Sequence, residues 1–159
     1  MIRGNAREAR PLSTKRPLHL VMRSSLAKGE RSFLSPKRAK GVREVAYASA
    51  KAHGVKIYRF ANSGNHLHFV VLPASLKAYF AFIRSLSGVL ARLVLGAERG
   101  RPKGVKFWDA LPFTRILEWG RDYRRTIDYL RQNVLEALGF VPYRARKTPF
   151  SGAARKPPD

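Results

Sequence analysis

Two histidines separated by one residue have the clearest chemical potential in this sequence. His66 and His68 lie in an apolar run that continues to Leu72 and is typical of a β-strand. Because strand side chains alternate between faces, both imidazoles point to the same side and can bind one metal ion. They leave positions at that metal for another side chain, water or substrate. The spacing is equally compatible with two hydrogen-bonded or surface histidines that bind no metal.

The composition indicates a polyanionic partner. The chain has 159 residues, enough for one domain, and its 32 Lys and Arg against 10 Asp and Glu give a net charge of +22. Such a charge opposes folding by self-repulsion, so we expect nucleic acid as the partner. A membrane surface is the competing interpretation, but we expect no apolar run of about 18 residues that could span a bilayer, and no signal peptide. These features predict a cytoplasmic, nucleoid-associated protein.

Hydrophobic periodicity predicts one domain over 16–140, between a flexible basic arm at 1–15 and a disordered, basic and proline-rich tail at 141–159. The predicted strands cover 17–23, 55–60, 65–72 and 107–119, the last as one strand or as two short pieces interrupted at Pro112. The predicted helices cover 35–52, 75–96 and 121–138.

The order of these elements predicts an α+β fold of the ferredoxin-like, RNA-recognition-motif-like type. In this fold two helices cover one face of a four-stranded antiparallel sheet. The other face is open, and the third, C-terminal helix is available to cover part of it.

The third predicted helix carries a tyrosine away from its apolar stripe. At about 100° per residue, one side of this helix is lined by Tyr123, Ile127, Leu130, Val134 and Leu138. Tyr129 lies roughly 140° from the centre of that stripe, and Asn133 follows it by one turn on the same side. The two could be solvent-exposed residues on a charged face, or they could share one site. Because the chain has no cysteine, a metal would have to bind imidazole, carboxylate, amide or water.

Together these residues resemble the single-tyrosine HUH transposases of small insertion sequences and the related REP-associated tyrosine transposases. The HUH motif, His-hydrophobic-His, corresponds to His66-Leu67-His68. The segment 122–133, which contains Tyr129, is similar to the tyrosine helix of the REP-associated branch. The resemblance covers about residues 16–140, and its elements occur in the family's order.

The resemblance implies a metal-dependent DNA strand transferase. It implies a divalent ion, Mg²⁺ or Mn²⁺, held here by His66, His68 and Asn133, and Tyr129 as the nucleophile. It also implies cleavage of single-stranded DNA near a hairpin through a 5′-phosphotyrosine, with rejoining that needs no ATP. It leaves open whether the protein is a homodimer that exchanges its tyrosine helices or a monomer that acts in cis.

Basic and aromatic residues are candidate contacts to DNA. The basic ones lie in a glycine-rich loop and near the start of the third helix: Arg99, Arg101, Lys103, Lys106, Arg121, Arg124 and Arg125. The aromatic ones, which are equally well explained as core residues, are Tyr58, Phe60 and Trp108. The remaining histidines, His19 and His53, are predicted to be structural because neither has a spacing relation to the pair.

Three other kinds of protein fit part of this pattern. An RNA-recognition module would use the same sheet to bind single-stranded RNA without catalysis, but it would not explain two histidines and Tyr129 together. A replication initiator or relaxase shares the HUH motif but is typically larger. A domesticated transposase homologue that binds DNA without moving it is the third alternative.

Overall fold

A computed structural model describes residues 11–96 and 104–144. These residues form a four-stranded antiparallel sheet with strand order β2-β3-β1-β4, and three α-helices. In chain order the elements are β1 (Leu18–Arg23), α1 (Ala39–His53), β2 (Val55–Asn62), β3 (His66–Pro73), α2 (Leu76–Leu95), β4 (Phe113–Ile116) and α3 (Arg121–Ala137). The predicted fold class is therefore confirmed.

Alternation along the central strands gives the sheet two different faces. β1 and β3 pair with Leu20 opposite Phe69 and Val21 opposite His68. One face, which we call the core face, is apolar and packs with α1 and α2; its central residues are Leu18, Leu20, Met22, Leu67, Phe69 and Val71. The opposite face, which we call the histidine face, carries His19, His66, His68 and Val70.

The third helix covers part of the histidine face, as predicted. Leu130 of α3 and Leu117, which precedes this helix, pack with Val70 and Ala61 of the sheet, and all four are fully or almost fully buried. The fully buried residues of α3 are Thr126 and Leu130, whereas Leu138, at the end of the predicted stripe, is exposed. The helix is therefore rotated relative to the predicted orientation, and at 100° per residue Tyr129 lies about 80° from the buried centre rather than 140°.

The longest described helix, α2, packs on the core face together with α1. Ser75 caps it by accepting the backbone N–H of Ala78 at 3.0 Å, and Gly96 ends it at a positive φ of 66°. Its buried residues are Tyr79, Phe82, Leu86, Leu90 and Val94. In the described part of the chain, this helix alone is long and apolar enough to cross a membrane by length and composition, so our expectation of no such run was wrong. Its packing against the sheet is that of a core helix.

The first helix begins later than predicted. Residues 35–38 form a turn in which the carbonyl of Ser35 accepts the N–H groups of Arg38 at 2.8 Å and Ala39 at 2.9 Å. The serine and the following proline therefore shape the approach to α1 and do not cap it. The end of α1 agrees with the prediction, because Gly54 adopts a φ of 68° directly after His53.

The fourth strand is much shorter than the predicted segment 107–119. It covers only Phe113–Ile116, directly after Pro112, which has no N–H to donate to a neighbouring strand. Before it the chain is irregular: the carbonyl of Phe107 accepts the Ser24 hydroxyl at 2.5 Å, and the carboxylate of Asp109 accepts the Ser25 N–H at 2.8 Å. Phe107 and Trp108 pack into the core without joining the sheet.

The first described residues contact the domain, although the sequence places 11–15 in the arm. The carbonyl of Pro11 accepts the Thr114 hydroxyl at 2.8 Å, and Leu12 packs against the core. Most of the predicted arm (1–10), part of the basic loop (97–103) and most of the predicted tail (145–159) lie outside the described residues.

Candidate active site

The two motif histidines lie on the histidine face, in the first three residues of β3. Their ring centroids are 4.7 Å apart, and His68 is buried whereas His66 is half-buried. β3 is held in this orientation because Leu67, Phe69 and Val71, which alternate with the histidines, are fully buried on the core face. The predicted convergence of the two imidazoles is therefore present.

The hydrogen bond of His66 fixes which of its nitrogens can bind a metal. Its Nδ1 lies 2.6 Å from the Oδ1 of Asn65. An amide oxygen only accepts hydrogen bonds, so Nδ1 carries the proton and Nε2 carries the lone pair. Burial, and then the positive charge of Arg23, lower the pKa of His66 from 6.5 to about 4. The imidazole is consequently neutral near pH 7, as metal binding requires.

A third histidine belongs to this cluster, and sequence reasoning missed it. His19 of β1 is buried, and its Nε2 lies 3.1 Å from the Nδ1 of His68. His19 was predicted to be structural because it has no spacing relation to the pair, but antiparallel pairing of β1 with β3 brings it to His68, 49 positions away in the chain. Side-chain alternation alone could have placed His19, Val21 and Arg23 on one face of β1. Only the register between β1 and β3 shows that His19 contacts His68. The other histidine, His53, lies at the end of α1, as predicted.

Tyr129 lies beside the buried histidines. Its ring centroid is 5.9 Å from that of His68 and 6.3 Å from that of His19, and it meets both rings edge-on. The side chain is half-buried rather than fully exposed, because the neighbouring Leu130 anchors this part of α3 to the sheet. Asn133 is also half-buried, one helical turn beyond Tyr129 on the same side of α3.

Polar contacts hold the start of the tyrosine helix. The carboxylate of Asp122 accepts Nη2 of Arg115 at 2.8 Å and the backbone N–H of Glu118 at 2.9 Å. Burial acts to raise the pKa of Asp122, but these two hydrogen bonds and the charge of Arg115 outweigh it, so the pKa falls below the ordinary value. Arg115 stands directly opposite His19 in the sheet, so the same residue links β1, β4 and α3. The position of Tyr129 is therefore tied to the strand that carries His19.

The donor set fits a divalent metal ion. Among residues 11–96 and 104–144, no three His, Cys, Asp or Glu side chains are grouped to hold a metal, so a third protein donor must be of another type. The carboxamide oxygen of Asn133 is such a donor, and oxygen together with imidazole nitrogen suits Mn²⁺ well and Mg²⁺ less well. The Asn65 contact of His66 is the kind of outer hydrogen bond that orients metal-binding imidazoles.

The predicted DNA contacts fall into four groups, of which the last contains Tyr58 alone. Arg99, Arg101 and Lys103 lie outside the described residues, whereas Lys106, Arg121, Arg124 and Arg125 are exposed. Phe60 and Trp108 pack on the core side: Phe60 contacts Phe69, and Trp108 stacks on Phe33 and donates its indole N–H to the carbonyl of Ser87 at 3.0 Å. Their interpretation as core residues is the correct one.

Tyr58 alone of the three aromatic candidates lies on the side covered by α3. Its ring centroid is 5.5 Å from that of Trp119, which lies just before α3, and 6.2 Å from that of Tyr123 in the first turn of α3. Lys56 lies 4.7 Å above the Tyr58 ring. Sequence reasoning did not include Trp119, which is 52% exposed and is accessible to an unpaired base.

Comparison with known proteins supports the fold. No family model matches the chain, and no curated protein matches it. Among solved structures, a REP-associated tyrosine transposase bound to a REP hairpin matches with a TM-score of 0.64 and 15% identity, covering 86% of this chain and 76% of that chain. A candidate transposase from Deinococcus radiodurans R1 matches with a TM-score of 0.47 and 16% identity, covering 84% and 97%. The resemblance noted in the sequence is thus confirmed in the backbone, and the chain has the fold of a REP-associated tyrosine transposase.

Proposed function

We propose that this protein is a transposase that cleaves and rejoins single-stranded DNA near hairpins through a covalent bond to Tyr129. The observation that carries the proposal is the edge-on contact between Tyr129 and His68, with 5.9 Å between the ring centroids. This contact places the phenol of a residue late in the chain beside the histidine pair. A module that only binds nucleic acid does not need that arrangement. The net charge of +22, and the hairpin bound by the structural relative, support DNA as the substrate.

Tyr129 acts as the nucleophile in this proposal. Once it has lost its phenolic proton, its oxygen attacks the scissile phosphorus and forms a 5′-phosphotyrosine. The bond from phosphorus to the 3′ oxygen breaks, and that oxygen takes up a proton and leaves as a 3′-hydroxyl. Attack by the 3′-hydroxyl of a second strand reverses the step, releases Tyr129 and joins the two strands without ATP.

His66, His68 and Asn133 would hold the divalent ion, through the Nε2 of each imidazole and the amide oxygen. When bound, the ion supplies Lewis-acid stabilisation of the charge that develops on the phosphate oxygens. Asn65 keeps the Nε2 lone pair of His66 available by accepting its Nδ1–H. The contacts between Leu130 and the sheet keep the phenol beside the two imidazoles.

A covalent adduct tests this proposal directly. Labelled single-stranded hairpin DNA from the sequence flanking the gene is incubated with the protein and Mn²⁺ or Mg²⁺, and the products are separated on a denaturing gel. We expect an adduct with the unmodified protein and with Tyr123→Phe, a matched control on the same helix. We expect none with Tyr129→Phe or His66→Ala. If the protein binds the flanking DNAs tightly but forms an adduct with none of them, the proposal is refuted and a protein that only binds nucleic acid is favoured.

A further inference from the structure

The contact between His19 and His68 has the geometry of a directed hydrogen bond. The ring planes differ by only 18°, and the centroids are 5.4 Å apart, which is 2.3 Å more than the 3.1 Å between Nε2 of His19 and Nδ1 of His68. The difference is the sum of the centroid-to-nitrogen distances in the two rings, so both nitrogens lie close to the line that joins the centroids. The imidazoles therefore meet edge to edge and nearly in one plane, where the lone pair and the N–H of each ring lie.

Burial makes this hydrogen bond hard to replace. His19 is 1% exposed and His68 is 3% exposed, so water has little access to either side chain. Both residues lie on the central strands of the sheet, whose register is fixed by buried pairs such as Leu20 and Phe69. A buried nitrogen that loses its partner costs free energy, so the two rings are held to each other.

The proton between the two rings can belong to either nitrogen, and the two arrangements differ in chemistry. If His68 carries the proton on Nδ1, its Nε2 has the lone pair that a metal needs. If His19 carries the proton on Nε2, the neutral His68 has its proton on Nε2 and cannot bind a metal there. The partner of Nδ1 therefore decides whether His68 can act as a ligand.

We propose that His19 is a positioning residue that accepts the Nδ1–H of His68 and so holds His68 in the tautomer whose Nε2 binds the metal. Asn65 plays the same part for His66, so each motif histidine has its own acceptor at Nδ1. The role in metal binding rests on the proposed function, whereas the tautomer is a property of the metal-free protein.

The tautomer is measured by nitrogen-15 NMR of the imidazole rings in the metal-free protein near neutral pH. The chain has four histidines, and His68→Ala identifies the signals of His68 by their loss. We expect His68 to carry its proton on Nδ1. A proton on Nε2 of His68 would overturn the inference, and this measurement needs no variant of His19.

The consequence for the metal is measured as Mn²⁺ affinity by calorimetry. His19→Phe removes the acceptor and is expected to weaken binding about 10-fold or more, the usual effect of losing an outer hydrogen bond to a ligand. His19→Gln supplies an amide oxygen near the position of Nε2 and is expected to restore most of the affinity. His53→Gln is the matched control, since it removes a histidine at the end of α1. Equal affinity of His19→Phe and the unmodified protein would contradict the role of His19.

The adduct assay separates this inference from the proposed function. A folded His19→Phe protein should need more Mn²⁺ for half-maximal adduct and recover at high Mn²⁺, whereas Tyr129→Phe should not recover at any concentration. If the unmodified protein forms no adduct while His68 shows the expected tautomer, the proposed function fails and the positioning by His19 stands. If the adduct forms and His68 carries its proton on Nε2, the proposed function stands and the positioning by His19 fails.

Discussion

The two faces of the sheet differ in what their side chains do. On the core face, Leu20, Leu67 and Phe69 are completely buried, and the cluster around them is apolar. On the histidine face, the small apolar contact around Leu130 borders three histidines and Tyr129. Stability therefore comes mainly from one face, and the groups suited to chemistry lie on the other.

The difference explains how the tyrosine helix is attached. Because its fully buried residues are only Thr126 and Leu130, hydrophobic burial contributes less to holding α3 than it does for α2. The Arg115–Asp122 ion pair, in which each side chain is 31% exposed, adds a polar connection from β4 to the first turn of α3. A site that must place a phenol beside two imidazoles thus combines a small apolar contact with directed hydrogen bonds.

Truncation of the core face should have the largest effect on stability. Phe82→Ala removes a fully buried ring of α2 that lies edge-on to Phe69. We expect the free energy of unfolding to fall by about 3–5 kcal/mol, which is a large part of the stability of a domain of this size. Urea unfolding followed by circular dichroism measures the change. A fall of less than about 1 kcal/mol would contradict the assignment of stability to this face.

Truncation of the apolar contact on the histidine face should affect both stability and activity. Leu130→Ala removes a fully buried side chain packed near Val70 and Ala61, and we expect a loss of about 3 kcal/mol. Because Tyr129 is the adjacent residue, adduct formation should fall further than the unfolded fraction explains. Urea unfolding and the adduct assay on the same preparation measure the two effects.

A solvent-facing leucine directly after α3 provides the control for that prediction. Leu138 is 51% exposed just after α3 ends, so Leu138→Ala should change neither quantity appreciably. If Leu130→Ala loses stability but forms adduct at the level of its folded fraction, the packing of Leu130 does not position Tyr129. The apolar contact of the histidine face would then stabilise the fold without positioning the phenol.

The parts of the fold that follow from local pattern were predictable from the sequence. The limits of α2 agree because Ser75 and Gly96 are strong local start and stop residues. The length of β4 could not be predicted, because Phe107 and Trp108 are apolar enough for a strand yet their partners, Ser24 and Phe33, are distant in the chain. Local pattern does not determine such tertiary contacts.

The candidate site was predictable only where its residues are related by short spacing. His66 and His68 are two apart on a strand, and Tyr129 and Asn133 are four apart on a helix, so each pair could be recognised in the sequence. The relation between the pairs came from the resemblance to a family. His19 was missed because its role depends on the β1–β3 register, which alternation does not determine.

The smallest expected effect is the decrease in the free energy of unfolding at acidic pH that the histidine face causes. Burial is the main reason that the pKa of His19 falls from 6.5 to about 4; the charge of Arg115 lowers it further, and that of Asp122 opposes this. Between these two values the unfolded chain binds a proton that the folded protein does not, so the free energy of unfolding decreases as the pH falls from 6.5 towards 4. For His19 the loss at about pH 5 is about 2 kcal/mol. His66, whose pKa is also lowered, acts in the same direction.

His19→Gln should reduce this loss of stability because it removes the ionisable group while keeping an acceptor for His68. Urea unfolding in EDTA near pH 7.5 and pH 5 gives the change for each protein, and EDTA is needed because a bound metal would compete with protons for the imidazoles. We expect the unmodified protein to lose about 2 kcal/mol more than His19→Gln over this interval, and His53→Gln to behave like the unmodified protein. If all three lose the same amount, His19 is not protected from protonation by folding. The histidine face would then be open to water, as the core face is not, and an edge-to-edge contact of neutral imidazoles could not persist there.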